Sequence, residues 1–528
     1  MNNALQILHS GKFHTLDSRR PTATAIAIHG RKILQVGSDR DIIEAFPKAN
    51  RINLGGKVVI PGLTDAHLHL KHYALNLQKV ACETDTRAEC LRRVAERASQ
   101  TPPGTWILGH GWNQNVWPES YGSAADLDDI TPHHPVYLTA KSLHAAWANT
   151  PALKATNINA QTLDPPGGKL SRDAHGRPTG LLFEKAMLLV SNIIPEPSVP
   201  ELTETLREAQ STLWKMGLTG VHDFDRQLSF AALQTLHARG ELKLRVLKNI
   251  AIENLPHAIE LGLQSGFGDD VLRIGGIKTF ADGALGPQTA AMLEPYEGAS
   301  DQQGMLLYTT EELFEECRLA AQNGLSMAIH AIGDRANRVV LDAYAQVRNY
   351  EREHHLPHLR HRIEHVQLIA PEDAPRLSKL DVIASMQPLH ATSDMEIADK
   401  YWGERAAYSY AWQIMLRNGT KLVFGSDAPV EVPNPFWGIH AAVTRRRTDG
   451  SPSPKGWFPS QRLSVNAALR AYTSGPAYAA GMENLLGKLS PGYYADLLIL
   501  EQDPFVCPPE ELRSIIPVAT MVGGELVA

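Results

Sequence analysis

The chain is organised around the stretch Val58-Val59-Ile60-Pro61-Gly62-Leu63-Thr64-Asp65-Ala66-His67-Leu68-His69. Its apolar, β-branched run predicts a buried strand that ends in two histidines one residue apart. Residues i and i+2 of a strand point to the same side, so His67 and His69 can present both imidazoles to one metal ion. This spacing also arises by chance in a chain with 22 histidines, so the pair needs support from the rest of the sequence.

Bulk composition indicates an ordinary globular protein with a sizeable core. The 528 residues are 43% hydrophobic and 20% charged, and no apolar run is long enough to span a bilayer. The first residues lack the pattern of a secretory signal, so a cytoplasmic location is the expectation. Four scattered cysteines argue against disulfides and against a Cys-based zinc finger. A formal charge of −6 without dense basic clusters argues against a nucleic-acid partner.

The two ends of the chain predict a different structure from its middle. The pattern of residues 1–60 predicts short strands and turns, and the pattern of residues 461–528 predicts a last helix followed by similar strands. The N-terminal part is too short for a core of its own, so we expect both ends to build one β-sandwich. Between them, over residues 61–460, strand-like runs alternate with amphipathic helical stretches, the pattern of repeated βα units.

Eight such strands predict a closed (β/α)8 TIM barrel of the α/β class, with its chemistry at the C-terminal ends of the strands. After the opening strand, the candidate strands are 219–224, 242–250, 273–280, 326–330, 362–365, 382–386 and 422–424. Residues 71–216 break the alternation, and we expect them to form an insertion over the barrel mouth. Its segments 109–114 and 141–144 offer Trp112 and His144 to a substrate cavity. The alternative is that the tryptophans of the insertion simply fill its own core.

Almost every predicted barrel strand ends in or just before a chemically capable residue. These residues are His67, His69, Asp223, Lys278, His330, His365, Gln387 and Asp427. Polar residues that begin a loop by chance would explain one or two of them, but they explain the whole set poorly. The order His-x-His, Lys, His, His, Asp suits a two-metal hydrolytic site, because divalent ions such as zinc take imidazole nitrogen and carboxylate oxygen.

Four members of this set also have an interpretation that involves no metal. Lys278 fits two metals only as a carbamate formed with CO₂, since an ammonium would repel both ions, and its alternative is a salt bridge to Asp282. His330 and His365 can be hydrogen-bonded structural residues, although two at successive strand ends favour ligands. Asp427 can take the proton of a metal-bound water and pass it to a leaving amine, and its alternative is a helix N-cap.

Together these motifs resemble the amidohydrolase superfamily, most closely its amidohydrolase 3 branch, which includes N-substituted formamide deformylase. Besides the opening stretch, the motifs are Ile277-Lys278-Thr279-Phe280-Ala281-Asp282-Gly283, His330-Ala331-Ile332-Gly333-Asp334, Ile363-Glu364-His365, Ser385-Met386-Gln387-Pro388 and Gly425-Ser426-Asp427-Ala428-Pro429. The resemblance covers essentially the whole chain and implies a barrel plus a β-sandwich from both termini. It also implies that His67, His69 and Asp427 hold one metal, that His330 and His365 hold the other, and that carboxylated Lys278 bridges them.

The implied reaction is attack by a metal-bridging hydroxide on the carbonyl of a non-peptide carbon–nitrogen bond, in an N-formyl or N-acyl amine or an amide. Trp112, His144, Gln387 and His390 are the predicted substrate-binding residues, and Asp282 and Asp334 are candidates for fixing the ligands. Zinc is the expected ion, one or two per chain, although manganese, iron, cobalt and nickel accept the same ligands.

Two other functions stay open on the sequence: a mononuclear deaminase of the same fold, and a non-catalytic binding protein that keeps the fold without metal. The expected partners are a small-molecule substrate and a second copy in a homodimer, with neither nucleic acid nor membrane.

Overall fold

The computed structural model describes residues 5–141 and 144–528, which group into two compact units. The first unit holds the chain up to Tyr73 and from Leu202 onwards, and the second holds 74–201. The role of the second unit as an insertion over the barrel mouth stays a prediction. Ser142 and Leu143, which belong to a segment predicted to line the cavity, lie outside the described residues. Across the described ranges, no helix is both long enough and apolar enough to cross a membrane.

The regular elements alternate along the chain much as the sequence predicts. The strands are β1 (Leu5–His9), β2 (Lys12–His14), β3 (Thr22–Ala23), β4 (Ala25–His29), β5 (Lys32–Gly37), β6 (Asn50–Asn53), β7 (Val58–Pro61), β8 (Leu63–Leu68), β9 (Val80–Ala81), β10 (Ile107–Trp112), β11 (Val136–Ala140), β12 (Ala145–Ala148), β13 (Gly168–Arg172), β14 (Pro178–Glu184), β15 (Leu218–Asp223), β16 (Arg245–Ala251), β17 (Leu272–Phe280), β18 (Met327–Ala331), β19 (Arg362–His365), β20 (Ile383–Met386), β21 (Leu422–Phe424), β22 (Leu497–Leu500), β23 (Pro517–Val522) and β24 (Glu525–Leu526). The α-helices are α1 (Asp39–Ala45), α2 (Leu70–Leu77), α3 (Arg87–Ser99), α4 (Ala124–Asp128), α5 (Thr150–Ala155), α6 (Leu188–Ser191), α7 (Val199–Lys215), α8 (Gln227–Ala238), α9 (Leu255–Glu260), α10 (Thr310–Gln322), α11 (Asp334–Glu353), α12 (Ala374–Lys379), α13 (Pro388–Trp402), α14 (Trp412–Arg417), α15 (Pro435–Thr444), α16 (Val465–Ala471) and α17 (Ser474–Ala479).

Eight parallel strands of the first unit form the predicted (β/α)8 barrel. Their order around the sheet is β8-β15-β16-β17-β18-β19-β20-β21, which is also their order in the chain. Leu68, at the end of β8, bridges in parallel to Ala428, which follows β21, and the Asp427 amide donates to the His67 carbonyl at 2.7 Å. These contacts close the sheet, so the C-terminal ends of all the strands meet at one rim.

The apolar run that opens the barrel is divided between two sheets. The sequence predicts one strand from Val58 to the histidines, but β7 pairs with β2 and β22, and only β8 enters the barrel. The chain changes sheet at Gly62, whose amide donates to the Asp496 carbonyl. A Cβ at Gly62 would lie 2.4 Å from Thr219 Oγ1, so the close approach to β15 requires glycine here.

The two ends of the chain form two further sheets. One has the order β5-β4-β1-β6, and the other has the order β24-β23-β22-β7-β2-β3 and so combines N-terminal and C-terminal strands. One hydrophobic cluster contains Leu8 and Ile26 from the first sheet together with Val59, Leu497 and Met521 from the second. The pairing of β7 with β22 ties the start of the chain to its end.

The second unit has its own sheet and its own core. The sheet order is β13-β14-β12-β11-β10-β9. Trp112, Trp117 and Trp147 belong to one buried cluster of this unit. This is the arrangement expected if the tryptophans stabilise the unit itself.

Candidate metal centre

His67 in β8 and His69 just after it lie beside Asp427, which follows β21. The Nε2 atoms of His67 and His69 are each 3.4 Å from Oδ1 of Asp427. Ligand atoms of His67, His365 and Asp427 all lie within 4.8 Å of one another, and the ring of His330 is centred 4.5 Å from that of His365. The barrel therefore gathers the predicted ligands from strands that are distant in sequence.

Two of these residues have a strained backbone. His365 has a φ of 77° and Asp427 a φ of 59°, in the left-handed region that a β-carbon disfavours. Such conformations cost on the order of 1–3 kcal/mol each and persist where the surroundings impose them, often at functional sites. Asp427 does not cap a helix as its alternative interpretation requires, because the next helix, α15, begins at Pro435 and is capped by Asn434.

One nitrogen of each candidate imidazole lies beside an acceptor of the protein. His67 Nδ1 is 2.6 Å from Glu364 Oε2, and His69 Nδ1 is 3.4 Å from Asp225 Oδ1. His365 Nδ1 is 2.8 Å from Gln387 Oε1, and His330 Nε2 is 2.8 Å from the Gly283 carbonyl. An acceptor on one nitrogen places the ring proton there and leaves the lone pair of the other nitrogen for a metal.

Lys278 reaches the same region from β17 without forming its alternative salt bridge to Asp282. Its side chain is buried and lies over the rings of Phe224 and Phe280, with Nζ 5.2 Å and 4.7 Å from their centroids. Among the described residues, Nζ has no hydrogen-bond partner. A buried amine without a partner is costly, so this position fits a lysine that gains its partners by modification and metal binding.

The electrostatic environment keeps most of the imidazoles neutral. Burial lowers the pKa of His330 to about 3, with a further contribution from Lys278, and burial also holds the pKa of His67 and His365 below the usual range. Burial lowers the pKa of Lys278 to about 8, although Glu364 and Asp427 oppose this. Burial likewise lowers the pKa of His69, but hydrogen bonds to Asp225 and Asp427 outweigh it and raise the value to about 9.

A network of buried charges, which the sequence did not predict, supports these ligands. Glu364 lies within the barrel, forms an ion pair with Arg362 and accepts from His67. Arg362 also donates to Ser385 Oγ at 2.6 Å. The sequence did contain a signal for this network. Arg362 and Glu364 are charged residues at positions i and i+2 of an apolar strand, so both must face the same enclosed space.

Asp225 is a second supporting residue, which the sequence did not predict. It is buried, and its Oδ1 lies 2.5 Å from His72 Nδ1 in addition to its contact with His69. The sequence predicts that Asp223, two residues earlier, is the functional residue at this strand end. In the structure Asp223 forms an ion pair with Lys248 at 2.8 Å and does not contact the candidate histidine ligands. Asp223 and Asp225 are two residues apart, so the sequence alone could not show which of the two carboxylates contacts the ligands.

A cavity of about 350 Å³ opens in front of these residues. His390 lines it, whereas Gln387 lies behind His365 and holds that ring. Asp282 accepts backbone N–H groups of Ala291, Ile332 and Gly333, and so fixes the loops beside His330. Asp334 accepts the amide of Leu293.

Trp112 and His144 belong to the second unit. The Trp112 indole is 1% exposed and donates to the Leu138 carbonyl at 2.8 Å, which is the environment of a core residue. His144 is exposed and contacts Glu184. Their roles in substrate binding stay predictions.

A closed parallel barrel with imidazole, carboxylate and amine groups gathered at one rim fits one class of enzyme, the metal-dependent hydrolases. The chain belongs to the amidohydrolase family, whose model matches residues 51–528. It is therefore an amidohydrolase, a hydrolase of carbon–nitrogen bonds other than peptide bonds.

Similar proteins span nearly the same length. Protein LONG AFTER FAR-RED 3 of Arabidopsis thaliana is 35% identical, covering 98% of this chain and 91% of the relative. The N-substituted formamide deformylase of Arthrobacter pascens is 29% identical, covering 97% and 96%. The crystal structure of an uncharacterized metal-dependent hydrolase from Pyrococcus furiosus has a TM-score of 0.79 and 30% identity, covering 95% of this chain and all of that one.

Proposed function

We propose that this amidohydrolase cleaves the carbon–nitrogen bond of a small N-formyl or N-acyl amine or amide. The donor set supports a centre of two divalent ions, with zinc the expected ion. In this proposal His67, His69 and Asp427 would hold one ion, His330 and His365 would hold the other, and carboxylated Lys278 would be a ligand of both. The relative named N-substituted formamide deformylase makes N-formyl amines the first substrates to test.

The observation that carries the proposal is the fixed orientation of the four imidazoles. Each has one nitrogen beside a protein acceptor, either a carboxylate, an amide oxygen or a backbone carbonyl. Histidines that serve only as packing residues do not need this shared arrangement, whereas metal ligands nearly always have it. The low pKa values of His67, His330 and His365 also mean that metal binding need not displace a proton from them at neutral pH.

Lys278 has the properties that carboxylation requires. The neutral amine attacks CO₂ and loses a proton, and the product carries one negative charge in place of one positive charge. A pKa of about 8 increases the share of the neutral amine at physiological pH relative to an exposed lysine. The buried Nζ without a hydrogen-bond partner among the described residues supports the same assignment.

The remaining chemistry belongs to residues that line the cavity. Divalent ions in such a centre supply Lewis acidity toward the carbonyl oxygen and lower the pKa of a water molecule. Asp427 lines the cavity, and the nearby histidines overcome its burial and hold its pKa well below the usual range, so its carboxylate is ionised. It accepts the proton of the attacking water and donates it to the departing nitrogen, so that an amine and a carboxylic acid are released.

The proposal is tested by incubating zinc-loaded and bicarbonate-treated protein with N-formyl and N-acetyl derivatives of alkyl and arylalkyl amines. We expect release of the amine, with one oxygen of labelled water incorporated into the acid. His330→Asn should abolish turnover, whereas His361→Asn, which changes a buried histidine paired with Glu351 away from the cavity, should retain it. A folded protein that binds two ions and cleaves none of these amides would contradict the proposal.

We also infer that the two sheets of the chain termini form the predicted β-sandwich. The cluster that combines Leu8 and Ile26 with Val59 and Leu497 supports this arrangement.

A further inference from the structure

The cavity in front of the candidate metal ligands has acidic groups in its wall as well as apolar ones. Leu285, Ile332 and Ile397 provide apolar surface, and Asp394 and Glu431 provide carboxylates. Among the described residues that line it, Lys278 is the single lysine or arginine. A volume of about 350 Å³ suits a small molecule.

One face of helix α13 connects the acidic groups to the candidate metal centre. His390, Asp394 and Ile397 are spaced by four and three residues, so they lie on the same side of the helix, and all three line the cavity. The ring of His390 stacks at 6.1 Å from that of His365. Asp394 lies one turn further along, about 6 Å in the direction of the helix axis.

Asp394 and Glu431 have no cationic partner in the described chain. Asp394 accepts a hydrogen bond from the Tyr410 hydroxyl at 2.6 Å, and Glu431 accepts one from the Ser393 hydroxyl. No ion pair with lysine, arginine or histidine involves either carboxylate in the described ranges, whereas Glu396 on the same helix pairs with Arg447. Two carboxylates that share a cavity without a counter-charge attract a cation from solution.

Two buried polar side chains, His390 and Gln367, also line this cavity. His390 is 6% exposed and Gln367 is 4% exposed, yet His390 Nε2 and Gln367 Oε1 have no hydrogen-bond partner within the described residues. Gln367 Nε2 lies 3.5 Å from His390 Nδ1, which leaves a donor on His390 and an acceptor on Gln367. A donor and an acceptor side by side complement the carbonyl and N–H of an amide.

We propose that the substrate carries an ammonium or guanidinium group, held between Asp394 and Glu431 about one helical turn beyond the amide. This inference rests on the proposed amide hydrolysis and specifies its substrate class. N-acyl compounds that bear a carboxylate at this distance are disfavoured, because Lys278, the single lysine or arginine of the described lining, is a carbamate in the proposed centre and leaves that carboxylate no cationic side chain.

Three formamides of matched length test the proposal in the zinc-loaded enzyme: N-formyl-1,4-diaminobutane, N-formylpentylamine and N-formyl-4-aminobutanoate. We expect kcat/KM to be at least about tenfold higher for the cationic compound than for the neutral one, and lowest for the anionic one. Asp394→Asn combined with Glu431→Gln should bring the cationic-to-neutral ratio close to one. Glu396→Gln, on the same helix but outside the cavity, should leave that ratio unchanged. Equal kcat/KM values for the cationic and neutral compounds in the unaltered enzyme would overturn the proposal.

A binding measurement separates this inference from the proposed reaction. Hexylammonium and 1-hexanol are titrated calorimetrically into the metal-free protein, where no hydrolysis is required. We expect hexylammonium to bind more tightly, and the doubly substituted variant to lose at least about tenfold in its affinity for the cation, with a smaller loss at high salt. This result would support the cation site even if no formamide were cleaved. Equal binding of the two probes, or no change in the variant, would overturn the cation site whatever the enzyme hydrolyses.

Discussion

Replacing Glu364 by glutamine tests whether the imidazole of His67 is held for a metal. The carboxylate lies 2.6 Å from His67 Nδ1 and forms an ion pair with Arg362, and all three side chains are buried. A glutamine keeps the size but removes the charge that favours the required tautomer. Mutation of such a supporting residue typically costs about 10–100-fold in metal affinity, or about 1.4–2.7 kcal/mol.

The same substitution also weakens the fold, and this effect must be separated from metal binding. Leaving a buried charge without its partner costs about 3–5 kcal/mol, and Arg362 keeps hydrogen bonds to Ser385 and the Ala66 carbonyl that reduce the loss toward the lower value. Glu351→Gln is the matched control. Glu351 is also buried and pairs with His361 at 3.1 Å and Arg348 at 2.6 Å, but it lies outside the cavity.

Competition with a chromophoric chelator measures the metal affinity, and denaturant unfolding of the metal-free protein measures stability. We expect both variants to be destabilised, but only Glu364→Gln to bind metal more weakly. A folded Glu364→Gln protein with unchanged metal affinity would refute the assignment of His67 as a ligand.

Three further predictions follow from the same centre. Lys278→Ala should lower the metal content from about two ions per chain to about one and reduce kcat/KM at least about 100-fold, and added acetate should restore part of the activity by supplying a bridging carboxylate. Asp427→Asn should lower kcat by about 10²–10⁴-fold at saturating metal, as measured by steady-state kinetics, because it removes the group that transfers the proton. Metal affinity, measured by calorimetry at a series of pH values, should rise with pH up to about 9. Despite its burial, hydrogen bonds to Asp225 and Asp427 raise the pKa of His69 to about 9, so below that pH the metal must displace a proton from His69. Asp225→Asn should lower the pKa of His69 and so shift this pH dependence to lower pH.

The barrel was predictable because its strands carry a strong local signal. Apolar runs such as those of β18 and β21 are short, rich in buried residues and followed by polar groups, and parallel topology then places their ends at one rim. The division of the opening run was not predictable. Val58 and Leu63 belong to equally apolar segments, and only the pairing of β7 with β22, more than 430 residues away in the chain, decides which sheet each segment joins.

For the site, residue type and position at a strand end identified the groups that the structure brings together, including His67, His365 and Asp427. The residues that orient them were harder to find. Glu364 and Asp225 act on histidines that lie far away in the chain. The local sequence therefore shows that they are carboxylates, but it does not show which side chain each carboxylate contacts. Gln387 was placed near the substrate by its position alone, whereas its oxygen accepts from His365.

The metal content of protein purified without chelator, determined by elemental analysis, shows whether the chain holds a centre of two ions. We expect about two divalent ions per chain, falling to about one in Lys278→Ala. One ion in both proteins would contradict the bridging role of Lys278 and favour the mononuclear deaminase. A folded, inactive protein that contains no metal and takes up no added zinc would contradict the metal centre itself.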